Sequence, residues 1–355
     1  MDFTFNEDQL LFQQTVRDFL EGECTPEAIR AQWQTEAGHS AELWGKLAEL
    51  GIPGLLVPEE HEGMGLDEVD AVLLFEELGR AALPEPVVET AAVAAPLLAE
   101  LADAELAGRW LKPIAVGEAV VTVADAASPL VSDAHVAALL LLFHGDELHA
   151  VDPGQARLER QAANDPSRRL FRVDWSPAQA TRVADGERGR ALQAAAFDRG
   201  VLACAAQQLG VADRLIEMAS AYAVARQQFG VAIGSFQAVK HMLADVKVAL
   251  EYARPLVHRA AHSVAVAAAG RDLHVSMAKL AASEAASGAA RKALQVHGAI
   301  GYTWEQDLHI WMRRAWSLEQ AFGRSDFHRR RVEDVVLAVG AELGPGTTFA
   351  SARQT

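Results

Sequence analysis

The run Arg226-Gln227-Gln228-Phe229-Gly230, followed by Gln237, and the run Gln295-Val296-His297-Gly298-Ala299-Ile300-Gly301-Tyr302 hold residue types suited to one task. A guanidinium makes paired, charge-assisted hydrogen bonds to phosphate oxygens. Carboxamides such as Gln237 and Gln295 both donate and accept. Glycines around a helix break, such as Gly298, let phosphates or an adenine approach the backbone closely. Together the two segments could grip the adenosine and pyrophosphate of a dinucleotide. Each alone is a weak signal. Arg226 at a helix end, with Gly230 as a left-handed cap, also suits the helix dipole, so a structural role accounts for that arginine without any ligand.

Such segments need rigid supports, and hydrophobic periodicity supplies them. After Gly186 the pattern is helical almost to the end, with segments near 191–226, 235–269, 273–296 and 305–339 long enough to pack as a bundle. The Ala-, Ser- and Gly-rich stretch 278–290 points to close helix–helix contact rather than chemistry. The first third is helical too. Asn6 and Gln9 form a capping-box pattern ahead of Leu10, Leu11, Val16, Phe19 and Leu20. Ser40 can cap a helix carrying Leu43, Leu47 and Leu50, and Gly51 can end it. Pro53 and Pro58 make the following link non-helical, a third helix runs near 67–79, and others follow Pro84. Between Pro113 and Trp175 the period changes. Ala119–Val123, Val136–Phe143, Glu147–Val151 and Arg172–Trp175 read as strands. The expected fold is α+β and mostly α. It has an N-terminal helical domain over 1–112, a small, reduced middle β domain over 113–185, a C-terminal four-helix bundle over 186–343 and a flexible tail over 344–355.

The 355 residues can bury a large core, and half of them are hydrophobic, which excludes general disorder. Lys and Arg number 32 against 48 for Asp and Glu, a formal charge of -16 that repels nucleic acid. Arg313, Arg314, Arg324, Arg329, Arg330 and Arg331 form one local basic stretch, read as a solvated helix face. Cys24 and Cys204 make neither a disulfide framework nor a metal spacing. His258 and His262 lie one helical turn apart, but Arg259 stands where a zinc protease would carry its glutamate, and no metal site is expected. No signal-peptide pattern and no membrane-length apolar run is evident, so the expected location is cytoplasmic, away from the membrane.

Further signatures decide the comparison: Leu50-Gly51-Ile52-Pro53-Gly54-Leu55, then Val57-Pro58-Glu59-Glu60-His61-Glu62-Gly63-Met64-Gly65-Leu66, and Glu76-Glu77-Leu78-Gly79-Arg80. With the Arg226 and Gln295 motifs, over nearly its whole length, the chain resembles the acyl-CoA dehydrogenase family. It looks most like the catalytically incomplete subunit of heteromeric enzymes for bulky acyl-CoAs such as steroid side chains. The resemblance implies FAD, with its adenosine-diphosphate side shared between subunits and held by Arg226, Phe229, Gln237, Gln295, Gly298 and Ala299. Arg324 and Asp326 fall where the family has a further flavin contact, with Arg324 replacing a threonine.

The family's reaction takes a proton from the α carbon of an acyl-CoA and passes a hydride from the β carbon to the flavin, so the protein must supply a carboxylate base. Two positions for that glutamate occur in the family. Here they carry Phe322 and Gly200, leaving Asp198 and Glu319 as weak candidates. The family's Thr-Glu-Pro-type segment of the middle domain is replaced by Val123 to Pro129, and a recognisable flavin strand is missing. The implied function is a subunit that completes the FAD site of a related catalytic acyl-CoA dehydrogenase chain in an oligomer. The alternatives are an autonomous homo-oligomeric FAD-dependent dehydrogenase with a relocated base, and a flavin-free acyl-CoA-binding or scaffold protein.

Overall fold

A computed structural model describes residues 4–101, 103–124, 128–341 and 344. Most of the flexible tail expected over 344–355 lies outside these residues, as does Asp125–Ala127 of the altered middle segment.

Local signals set the N-terminal helices. Helix α1 (Glu7–Glu23) starts at a complete capping box, Asn6 and Gln9 each accepting the other's backbone N–H at 2.8 Å. Helix α2 (Pro26–Trp33) was not anticipated, although Thr25 caps it and proline occupies its first turn, both start signals. Ser40 caps α3 (Ala41–Glu49), and Gly51 follows at φ +80°. Asp67 caps α4 (Glu68–Arg80), which is buried on nearly all sides from Ala71 to Gly79. A π-helical segment, Val88–Ala94, runs directly into α5 (Ala95–Glu100). Helix α6 (Ala104–Ala115) continues past Pro113, so this proline does not end the helix as a breaker would. It sits in the last turn, where little helix remains to be disrupted.

The strands form two small sheets. The first orders β1 (Val121–Val123), β3 (Leu139–His144), β4 (Glu147–Val151) and β7 (Arg182–Ala184), with β1 and β3 parallel and the other pairs antiparallel. The second orders β2 (Leu130–Ser132), β6 (Leu170–Asp174) and β5 (Arg157–Gln161), all antiparallel. Strand β3 explains its own unbroken apolar run. Leu139 and Leu141 face the main core, while Leu140 and Leu142 face a second small core with Val131, Val151 and Phe171.

The 40-residue helix α7 (Gly186–Ala225) is the spine of the molecule. It crosses α4 at two glycines: a Cβ on Gly79 would collide with the backbone of Gln207, and one on Gly210 with the backbone of Glu76. Only glycine allows that approach. Helices α8 (Gln237–Ala265) and α9 (Arg271–His297) pack beside it. The small residues Ala278, Ala282, Ala285, Ala286, Ala289 and Ala290 are all buried along α9. The segment expected as one helix over 305–339 is two, α10 (Leu308–Gln320) and α11 (Ser325–Val336). Between them Phe322 at φ +52° and Gly323 at φ +90° turn the chain. Helices α7 to α10 make the bundle, and α11 packs on α9.

Candidate functional site

The two positions expected to carry a base meet in space. Gly200 lies within α7 and Phe322 just beyond α10, and a Cβ on Gly200 would run into the Phe322 ring. The aromatic ring therefore occupies the volume that a side chain from position 200 would need. Phe322 adopts a left-handed backbone, which costs an L-residue roughly 1–2 kcal/mol and needs support from its surroundings. His328, fully buried, donates from Nε2 to the Phe322 carbonyl at 2.8 Å. Burial pushes this imidazole down to about 4, so it is neutral at pH 7. Just before the turn, the buried Lys279 ammonium donates to the Leu318 carbonyl at 2.7 Å and the Glu319 carbonyl at 3.3 Å. A cation there suits the C-terminal end of α10.

Phe322 forms one wall of a cavity of about 400 Å³, with Val123, Leu130, Trp316, Glu89 and Arg168 among the other lining residues. The weak base candidates are not among them. Asp198 is buried elsewhere: its Oδ2 accepts from Arg271 Nε at 3.1 Å, and Arg331 stands 3.6 Å from Oδ1. Burial raises its carboxyl against the pull of those two arginines. Glu319 points to Ser325, whose hydroxyl donates to it at 3.5 Å. The carboxylate that does line the cavity, Glu89, was missed, as was Arg168. A lone glutamate within Val87-Val88-Glu89-Thr90-Ala91-Ala92-Val93 could have flagged a buried charge. The arginine-rich stretch needs one correction as well. Arg314 is not solvated but buried, paired with Asp165 and donating to the Leu83 carbonyl at 2.7 Å.

The residues expected on the adenosine side gather at one end of the bundle. Arg226 follows α7 in extended conformation. Gly230 is not a helix cap. It and Phe229 are the turn of a two-residue hairpin between β8 (Gln227–Gln228) and β9 (Val231–Ala232), with φ of +81° and +53°. Positive φ at both turn residues is what such a hairpin requires. The Ile233 N–H closes back onto the Arg226 carbonyl at 2.8 Å. Phe229 at the tip is 93% exposed, with its ring edge-on to Phe236. Gln237 opens α8 from this same connection. One turn before Arg226, Tyr222 stacks on His297 with centroids 4.4 Å apart, which joins the end of α7 to the end of α9. There Gln295 and Ala299 are exposed, and Gly298 has φ +65° and ψ −142°, a conformation that glycine tolerates. Among the described residues the Arg226 guanidinium has no ion pair. Arg324 and Asp326 lie apart from this cluster, in the turn into α11, and pair with each other at 3.1 and 3.3 Å.

Residues 6–118 match the acyl-CoA dehydrogenase N-terminal domain and residues 187–337 the acyl-CoA dehydrogenase C-terminal domain. The acyl-CoA dehydrogenase IpdE2 of Mycolicibacterium smegmatis is 34% identical over 331 residues, covering 92% of this chain and 98% of that protein. The chain belongs to the acyl-CoA dehydrogenase family. Two solved structures share its fold closely. One is a chain of the ChsE4–ChsE5 complex from Mycobacterium tuberculosis, with TM-score 0.85, 27% identity, and 95% and 99% of the two chains covered. The other belongs to the Tcur3481–Tcur3483 steroid ACAD, with TM-score 0.86, 26% identity and the same coverage. Acyl-CoA dehydrogenases are FAD-dependent. Among the described residues no helix is long and apolar enough to cross a membrane.

Proposed function

We propose that this chain is the flavin-completing, non-abstracting subunit of a paired acyl-CoA dehydrogenase, working with a related chain that carries the base. The observation that carries this reading is the Phe322 ring over Gly200, which fills both family base positions with hydrocarbon. General-base contributions of ~100- to 10,000-fold are forfeited at such a site. The opposite end of α7 retains what a dinucleotide needs: an exposed guanidinium at Arg226, amide side chains at Gln237 and Gln295, and backbone freed by Gly298. About 25 residues of helix separate Gly200 from Ala225, roughly 38 Å, a span longer than one flavin dinucleotide. Arg226 and the cavity beside Phe322 therefore cannot serve one flavin, and Arg226 is assigned to a neighbour's.

When bound, FAD supplies the two-electron acceptor. The role of this chain is to hold its adenosine diphosphate through Arg226, Gln237, Gln295 and the backbone near Gly298 and Ala299, with Phe229 packing alongside. The paired assemblies named for similar structures support a hetero-oligomer, and the steroid label of one supports a bulky acyl-CoA substrate held by the partner.

The test is expression of the chain alone and together with a related, base-bearing acyl-CoA dehydrogenase chain, followed by visible absorption spectra. Colourless protein alone and flavin-yellow protein in the co-purified complex are expected. Stoichiometric flavin in the isolated chain would favour an autonomous enzyme instead.

A further inference from the structure

We propose that residues 32–40, the end of α2 and its link to α3, form an acid-released strap: docked against the β domain and α10 at neutral pH, it lets go when His39, His135 and His309 take up protons. This is independent of the flavin-completing role, because it concerns how the N-terminal helices are held to the β domain rather than either end of α7.

The strap is held through its backbone. The last carbonyls of a helix lack partners within it, and here the β domain supplies the donors. Arg169, just before β6, donates to the Gln32, Trp33 and Thr35 carbonyls at 3.3, 3.2 and 2.8 Å. His135, in the turn between β2 and β3, donates from Nε2 to the Glu36 and Ala37 carbonyls at 3.2 and 3.1 Å. Two side chains thus carry five of the six carbonyls from Gln32 to Ala37. Gly38, at φ +81°, lies so close on the Arg169 side chain that a Cβ there would collide with it. Trp33 Nε1 donates to Ser167 Oγ at 2.8 Å, and its ring lies 5.7 Å from that of His309. At the far end the Ser40 N–H donates to Glu85 Oε1 at 3.1 Å.

This contact needs its three imidazoles neutral. Burial lowers each of them from the ordinary 6.5, and neighbouring basic groups add to it: His135 and Arg169 beside His39, Arg169 and Arg160 beside His135, Arg313 and Arg30 beside His309. The carbonyls facing His135 and the Asp307 carboxylate near His309 pull the other way without reversing it. The surrounding carboxylates are engaged elsewhere. Asp307 pairs with Arg30, Asp165 pairs with Arg314, and burial holds the Asp133 carboxyl well above its usual range. Both ring nitrogens of His39 and of His309, and Nδ1 of His135, have no hydrogen-bond partner among the described residues, so a second N–H gains no acceptor there. A protonated His309 would be attracted to Trp304, 4.6 Å away, but Arg313 already stands over that ring at 4.7 Å.

Acid therefore drives the strap off. Histidines whose docked form resists protonation favour docking fully above about pH 6.5 and progressively less as pH falls below it. Each can change the docking equilibrium by up to about tenfold per pH unit. The loop that the strap braces supplies Asn164 and Arg168 to the wall beside Phe322, so release of the strap loosens that wall as well.

The experiment is hydrogen exchange on the full-length chain at about pH 7.5 and about pH 5.5, corrected for intrinsic amide rates and read at peptides covering 32–40 and α7. The strap amides of Gly38 and Ser40, which donate to Thr35 Oγ1 at 3.0 Å and to Glu85, report its closure. Their protection is expected to fall by about tenfold or more at the lower pH, while α7 keeps its own. The triple variant His39→Gln, His135→Gln, His309→Gln retains a side-chain N–H at each position, and its strap should be protected alike at both pH values. An unchanged wild-type strap, a loss that comes only together with α7, or full pH dependence in the triple variant overturns the proposal. The wild-type profile decides it even if the variant fails to fold.

Discussion

Near Gly200, helix α7 is sealed: the Phe322 ring fills the space a side chain would need, and His328 and Lys279 secure the turn that carries it. Near Ala225 the same helix ends in the open, with Arg226 unpaired among the described residues and Phe229 standing out on a hairpin tip. Sealing a site with a buried aromatic stabilises the fold, while leaving a guanidinium and a phenyl ring in water contributes little to it. The first region is organised for packing, while the second leaves a guanidinium and an aromatic ring to solvent. On the proposed reading, a family fold loses its reacting group and keeps its grip, because the two lie at separate places along one helix.

The strongest way to break this contrast is turnover. The isolated chain is expected to show no measurable dehydrogenation of acyl-CoA thioesters with an artificial electron acceptor, since a base worth ~100- to 10,000-fold has no place at the sealed site. Robust activity, abolished by Asp198→Asn or Glu319→Gln, would make the sealed region the working one.

The seal can also be measured as packing. Phe322→Ala should cost about 3–5 kcal/mol, as other buried aromatic truncations do. Gly200→Ala should cost about 1–3 kcal/mol through overlap with the ring. In the double variant the Gly200→Ala cost should largely disappear, because the ring it strikes is gone. Chemical denaturation of the four proteins reads the cycle, and strict additivity would mean that ring and glycine do not compete for one volume.

Behind the seal, Glu85, Glu89, Asp133, Arg168 and Arg314 enclose a void of about 20 Å³. Burial pushes the Glu85 carboxyl up to about 7, its Oε2 having no partner. A raised carboxyl favours the folded state while protonated, so the stability it confers is full below about 4.5 and is lost as pH rises through about 7. At ~1.4 kcal/mol per pKa unit the loss is on the order of 3 kcal/mol. Glu85→Gln should match the wild type at pH 5 and exceed it in urea midpoint at pH 8.5. Parallel pH profiles for the two proteins would place the titration elsewhere.

Local features of this fold were legible in the sequence because their causes are local. The caps at Asn6 and Ser40 and the turn at Gly51 each depend on neighbours a few residues away. The break after α10 was not legible, because Phe322 is an unexpected residue for a left-handed conformation and distant groups, His328 and Lys279, hold its turn. The π-helical Val88–Ala94 escapes a search for 3.6-residue periodicity, and with it went Glu89. The two positions expected to carry a base could be named from motifs. That Phe322 packs onto Gly200 could not, since only the tertiary fold joins them.

At the open end, Arg226→Ala should weaken flavin retention in the assembled complex while leaving the isolated chain's unfolding almost unchanged. A charged hydrogen bond is worth about 1.5–3 kcal/mol, or roughly 10- to 100-fold in affinity. Flavin stoichiometry and dissociation in co-purified wild-type and variant complexes measure it. Equal retention would reduce Arg226 to a helix-end cation.

Arg324 sharpens the contrast with the smallest effect. Like Arg226 it is exposed, and the resemblance expects it at a flavin contact, yet its guanidinium already makes two hydrogen bonds to Asp326 two residues away. To meet a phosphate or a flavin oxygen it would first have to leave that carboxylate, and Asp326 would then stand as a negative charge beside an anionic ligand. Arg226 faces neither cost. Arg324→Ala should therefore change flavin dissociation from the complex by less than about twofold, and salt should affect the wild type and this variant alike, as for an exposed surface pair. A loss as large as that of Arg226→Ala would mean that the pair opens on assembly and that the turn into α11 belongs to the grip. The open region would then extend to the residues just beyond Phe322, and the boundary between the two halves would have to be redrawn there.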